Sequence, residues 1–124
     1  MKWLVAVLLS VVTAVTMAVS PAWTDSAEEN YTAYCARCHG DTGHGDGPSA
    51  VTLKTKPRNF GDCDRLRQIS DDTMFNAIKR GGASVGLSDD MPNWSTDLGD
   101  DEIHELVAFV RTFCKKKSPP PLPP

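Results

Sequence analysis

The sequence predicts an all-α fold of three to four helices, and three observations carry that reading. Three stretches repeat apolar side chains at helical spacing, and each is bracketed by residues that start or stop helices. No stretch alternates apolar and polar residues with period 2 convincingly, so no strand is expected. The remaining chain is irregular and rich in Gly, Pro and Asp. Of 124 residues, roughly 100 remain for the globular part, enough for one small domain with a modest core.

Residues 1–22 read as a secretory signal peptide that precedes the fold. Lys2 supplies the positive start, Trp3 to Val19 carry no charge, and Ser20 and Ala22 fit the −3 and −1 positions of a cleavage site before Trp23. The apolar run is interrupted by Ser10, Thr13 and Thr16 and falls short of a full span. An uncleaved N-terminal anchor is the alternative. Both readings export the domain, to a periplasmic or otherwise external compartment where disulfides persist.

The first helix is expected over 27–37. Asp25 or Ser26 caps it, each with a glutamate three positions on (Glu28, Glu29), and Ala27, Tyr31, Tyr34, Cys35 and Cys38 share one face. The second is expected over 71–80, capped by Ser70, stapled by Ile69 and Met74, and stopped by Gly81-Gly82. The third is expected over 100–113, with the stripe Ile103, Leu106, Val107, Val110 and Phe113. Acids fill its first turn and Lys115-Lys116-Lys117 follow its end, as the helix dipole prefers. The domain is thus expected over 23–117. The tail 118–124 is Pro-rich and reads as extended polyproline II, either inert or a recognition segment.

Cys35-Ala36-Arg37-Cys38-His39 carries most of the functional information. Cys-x-x-Cys-His is the attachment signature of c-type haem: two thiols add across the haem vinyl groups and the adjacent imidazole becomes an axial ligand. One helical turn brings both sulfurs to one porphyrin edge. With four cysteines and three histidines in the chain, a chance match is rare. Zinc sites and redox dithiols also use Cys-x-x-Cys and remain as alternatives. There is no second copy of the motif, so one covalent haem is expected. The formal net charge is −3, and removal of Lys2 makes it more acidic. That balance argues against nucleic acid or an anionic membrane surface as partner.

In the order of its features the chain resembles the class I c-type cytochromes, small monohaem electron carriers. An N-terminal helix runs into Cys35-x-x-Cys38-His39. A Gly-rich loop, a middle helix, Met91-Pro92 and a final amphipathic helix follow. The resemblance implies a cytochrome c fold in which the first and last helices cross near one haem edge. Ala27 and Tyr31 match the small-plus-aromatic pair of that crossing and Phe109 matches its aromatic counterpart, although the family usually has glycine at the position of Ala27.

The resemblance also implies a ligand set. Of four methionines, Met1 and Met17 fall in the signal segment and Met74 reads as a core residue of the middle helix beside Phe75 and Ile78. Met91 is left, in Ser88-Asp89-Asp90-Met91-Pro92-Asn93-Trp94, and Met-Pro here supplies the axial sulfur in the family. A thioether is a soft ligand that favours Fe(II) and raises the potential relative to His/His ligation. His44, in Gly43-His44-Gly45-Asp46-Gly47, and His104, on the polar side of the last helix, are weaker candidates and read as solvated. The family uses a Gly-Pro carbonyl to accept the second ring N–H of the ligating histidine, and Pro48 is the match. Lys56-Pro57-Arg58-Asn59-Phe60 resembles a propionate-edge segment, where Arg58 would pair with a propionate or remain a surface residue. Trp94 is expected to shield the Met side, a plain core tryptophan being the alternative.

Three functions follow. The first is a one-electron carrier, since a His/Met iron has no open position; it would meet redox partner proteins, with Asp71-Asp72, Asp89-Asp90 and Asp100-Asp101 steering a basic docking surface. Two of these pairs also serve helix dipoles. The second is a dedicated subunit of a dehydrogenase or reductase complex. The third, a five-coordinate haem that binds small ligands or acts as a peroxidase, is opposed by Met91. Cys63 and Cys114 are expected to form a disulfide, which would close a loop of about 50 residues and contribute about 4 kcal/mol by chain entropy. The resemblance gives that bond no support. Separate buried cysteines are its alternative.

Overall fold

The computed structural model describes residues 23–114; the signal-like segment 1–22, the lysines at 115–117 and the tail 118–124 lie outside the described residues. Those that are described form helices and loops with no strand among them. The first helical stretch has three parts: α1 (Trp23–Asn30), a π turn (Tyr31–Cys35) and α2 (Ala36–His39). It begins earlier than the capping pattern suggests, so Asp25 and Ser26 lie within its bounds rather than before them. A π turn admits one extra residue, and here the Ala36 N–H donates to Tyr31 O. The buried positions accordingly step from Ala27 to Tyr31 by four and then to Ala36 by five. The even helical spacing expected from the sequence breaks at this point.

α3 (Cys63–Arg67) is a single turn that the sequence pattern does not announce; the Asp62 side chain caps it by accepting from the Arg65 N–H at 3.3 Å. α4 (Asp71–Arg80) has the expected bounds. Its cap is Ser70, whose Oγ accepts from the Thr73 N–H at 3.1 Å. It stops at Gly81, where φ is +88°, a conformation that glycine adopts without strain. α5 (Asp100–Thr112) ends one residue short of expectation, with Phe113 as its C-cap. Glu102 reaches back to accept from the Gly99 N–H at 2.8 Å, and acids occupy the first turn beside the helix's positive end.

α1 and α4 both pack on α5. Tyr31, Leu66, Ile103 and Leu106 are the most deeply buried large side chains. At the α1–α5 crossing the Tyr31 ring lies 5.3 Å from Phe109 and 5.2 Å from Phe113, both tilted, a geometry in which ring edges meet ring faces favourably. Ala27 is buried in the same region. Near the end of α5, Arg111 donates to the carbonyls of Leu66 and Ile69 and to Asp71 Oδ1. One guanidinium thus fastens α5 to α3 and α4, using the several donors of its planar fork. The Cα atoms of Cys63 and Cys114 stand 5.3 Å apart with their sulfurs adjacent, within the roughly 4.4–6.8 Å that a disulfide spans.

Met74 is only 8% exposed and belongs to the core. Met74→Ala is expected to lower the unfolding free energy by about 2–5 kcal/mol in denaturant titration; a loss within about 0.5 kcal/mol, typical of surface sites, would remove it from the core.

Candidate functional site

A cavity of about 720 Å³ opens between the end of the first helical stretch, the loop before α3 and the segment before Trp94. Its size lies inside the roughly 300–1,000 Å³ range of cofactor sites. Tyr34, Cys35, Cys38 and His39 line one side. Met91 and Trp94 come from the segment after α4, while Ile78, Leu106 and Val110 reach it from α4 and α5. Four cations, Arg37, Lys56, Arg58 and Arg65, also border it, with the acids Asp62 and Asp90.

The motif is set by backbone contacts at the end of α2. Gly45 N–H donates to His39 O at 2.7 Å, Gly47 N–H to Cys38 O at 3.1 Å, and Ser49 N–H to Arg37 O at 2.9 Å. The loop after the motif therefore lies against the helix's last carbonyls. At Gly47 the approach is so close that a Cβ would fall 2.4 Å from Arg37 O, which leaves glycine as the residue that fits.

His39 is held from a different segment. Its Nδ1 lies 3.2 Å from Arg58 O. A carbonyl only accepts, so Nδ1 carries the proton and the Nε2 lone pair is left for a metal. The Phe60 ring stacks on the imidazole with centroids 4.5 Å apart and planes 16° from parallel. Burial pushes the His39 pKa down; the Arg58 carbonyl opposes that shift and the Arg58 charge adds to it. The ring is thereby held in the neutral form that ligates.

Pro48 does not take the role expected of it. It is exposed and absent from the cavity lining, and the carbonyl facing His39 belongs to Arg58. The reason is the docking of Gly47 and Ser49 on the α2 carbonyls, which carries Pro48 along the helix end while 58–60 crosses the imidazole. Sequence reasoning singled out Arg58 for its guanidinium and missed its carbonyl and the Phe60 stack. A backbone acceptor leaves no mark in residue identity.

Met91 is half-buried, and its backbone is tied by Gly82 N–H to Met91 O at 3.0 Å and by Met91 N–H to Ser88 O at 3.4 Å. Trp94 N–H donates to Ile78 O at 3.0 Å, and its ring meets Tyr34 at 5.2 Å. Met74 borders only a neighbouring space of about 80 Å³. His44 is exposed and bonds Thr42 Oγ1 at 2.7 Å; His104 is exposed and stacks on Phe75 at 4.4 Å. Neither borders the cavity.

Burial pushes the Cys35 thiol up to about 12, with Cys38 adding to the shift. A redox dithiol or a zinc thiolate needs the opposite. Among the described residues no group of three or more His, Cys, Asp or Glu side chains could hold a metal ion. A largely apolar cavity bordered by two thiols, a neutral imidazole and a thioether fits a covalently bound haem.

The comparisons agree. The family described as cytochrome C oxidase, cbb3-type, subunit III matches residues 22–110. Among solved structures, KustC0563 c-type cytochrome is similar at 25% identity with a TM-score of 0.57, over 70% of this chain and 95% of that chain. A search of curated proteins found no match. Motif, helical fold, cavity and a family match over most of the chain converge: the protein belongs to the cytochrome cbb3-type c domain family and is a c-type cytochrome, which transfers electrons through haem.

Proposed function

We propose that this cytochrome holds one covalent haem c between His39 and Met91 and shuttles single electrons between redox proteins outside the cytoplasm. The observation that carries the reading is one cavity bordered at once by Cys35, Cys38, His39 and Met91. When bound, the haem supplies the Fe(III)/Fe(II) couple. Cys35 and Cys38 would anchor it as thioethers, and His39 through Nε2 and Met91 through its sulfur would ligate the iron, an arrangement suited to electron exchange rather than substrate binding. Trp94 and Tyr34 meet at 5.2 Å on the cavity wall, and Trp94 would shield the Met91 side of the haem. Residues 1–22 act as the export signal or an anchor, 23–117 as the haem domain and 118–124 as its tail.

A second reading, a subunit of a larger oxidase or reductase assembly, is favoured by the description of the matched family as a subunit of a cbb3-type oxidase. Size exclusion of a native extract separates the two: a free carrier elutes as a small protein, a subunit with a large complex.

Partner docking is expected at the cavity mouth and to weaken with salt. Of the acidic pairs considered for steering, Asp71 pairs with Arg111 at 2.7 Å and Asp100 with Lys79 at 2.7 Å, whereas Asp90 borders the cavity.

The ferric protein is expected to show the far-red band of methionine-to-iron charge transfer. Met91→Ala should abolish the band and lower the potential, and Met74→Ala should leave it; persistence of the band in Met91→Ala would refute the ligand assignment.

Arg58→Ala keeps the carbonyl that holds His39 and removes the guanidinium alone. If Arg58 pairs with a propionate, redox titration across pH will show a changed potential with intact axial ligands. An unchanged curve returns it to the surface.

We also propose that Cys63 and Cys114 are bonded. Their sequence separation of 51 gives a contribution of about 4 kcal/mol by chain entropy, an upper value because haem also restricts the unfolded chain. Denatured, unreduced protein should take up no alkyl group by mass; uptake of two would rule the bond out.

A further inference from the structure

We infer that Phe60 is a positioning residue: its ring fixes the plane of the His39 imidazole, and the Cys63–Cys114 pair braces Phe60 in that position. The inference rests on the proposed ligation by His39. An imidazole bound through Nε2 can turn about the metal–nitrogen axis, and only its protein neighbours select one orientation. The Nδ1 contact to Arg58 O, at 3.2 Å, is at the long end of N–H···O bonds and by itself acts as a hinge. The stacked Phe60 ring, 4.5 Å away and 16° from parallel, covers one whole face and removes that freedom.

Both contacts come from neighbouring residues of one loop, so the orientation of His39 depends on what holds that loop. Phe60 N–H donates to Gly43 O at 2.7 Å. Gly45, at φ +74°, passes so near Pro57 that a Cβ would fall 2.3 Å from its carbonyl oxygen. The Phe60 ring lies 6.1 Å from Phe113 with planes 22° apart. Cys114 Sγ sits 3.4 Å from Phe60 O, and Cys63, shortly after Phe60 in the chain, faces Cys114 across 5.3 Å between Cα atoms. The end of α5 therefore contacts the loop at both its Phe60 ring and its Phe60 carbonyl. Contacts behind an axial ligand tune the metal as well as hold it.

The test uses ferric holoprotein and reads the haem-methyl proton shifts, whose order and spread follow the axial imidazole plane, together with the midpoint potential. Phe60→Leu keeps apolar volume without a planar face. It is expected to reorder the methyl shifts and move the potential while the far-red methionine band stays. Phe60→Tyr keeps the ring and is expected to retain the wild-type order. Cys63→Ser is expected to move the shifts in the direction of Phe60→Leu by a smaller amount. Wild-type shifts and potential in Phe60→Leu would overturn the role of Phe60. Wild-type shifts in Cys63→Ser would overturn the brace, and Phe60→Met, read in the same way, decides the role of Phe60 if Phe60→Leu does not fold. The ligand assignment is tested separately by the band in Met91→Ala, so the two readings fail independently.

Discussion

Tyr31 is the contact on which the rest of the molecule depends. It is buried in the core, and its ring meets Phe109 and Phe113 of the C-terminal segment. Its hydroxyl donates to Gly40 O at 2.7 Å. One side chain thus joins three things: the start of the π turn, the crossing with α5, and the carbonyl just past His39. A buried hydroxyl must find an acceptor or cost about 1–3 kcal/mol, and here the acceptor lies at the residue that ends α2. Burial and nearby negative charges also push its pKa upward, so it remains a donor. The position of the haem motif follows from this anchorage.

A second set of contacts works around the first. Arg111 reaches from α5 to the carbonyls near the end of α3 and to Asp71 at the start of α4. Lys79, near the end of α4, bonds Asp100 at the start of α5 at 2.7 Å and lies 5.4 Å from the Phe75 ring. Half-exposed ion pairs of this kind contribute little each. Their geometric effect is larger: they set α4 against α5 at both ends, and Ile78 and Trp94 follow α4 into the cavity wall.

Much of this was legible in the residues. Ser70 and Gly81 bracket α4 because a hydroxyl and a positive φ are local needs that local residues meet. The α5 stripe was visible for the same reason, whereas the pairing of Tyr31 with Phe109 was implied by the family resemblance. The haem motif could be named because side-chain chemistry identifies it; Met91 was singled out by elimination and by the resemblance, and it borders the same cavity. The π turn was not legible, since an even 3.6-residue period gives no warning of one extra residue. The single turn of α3 is too short to show a period. Pro48 was misplaced because the acceptor for His39 is a backbone atom, and every residue carries one. Cys63 and Cys114 were paired from compartment, count and their positions after the 56–60 loop and at the end of the last helix, and their Cα atoms stand 5.3 Å apart.

The π turn gives the site an unusual kind of sensitivity. Thr32 and Ala33 within it are exposed, so their identities bear little on packing. Their number is another matter. Each residue of an α-helix advances about 100° around the axis, so loss of one residue here would restore the ordinary spacing and turn everything downstream by about that angle. Cys35, Cys38 and His39 would then face away from the cavity, with every side chain of the motif still present. At this point in the chain, length is a stricter requirement than composition.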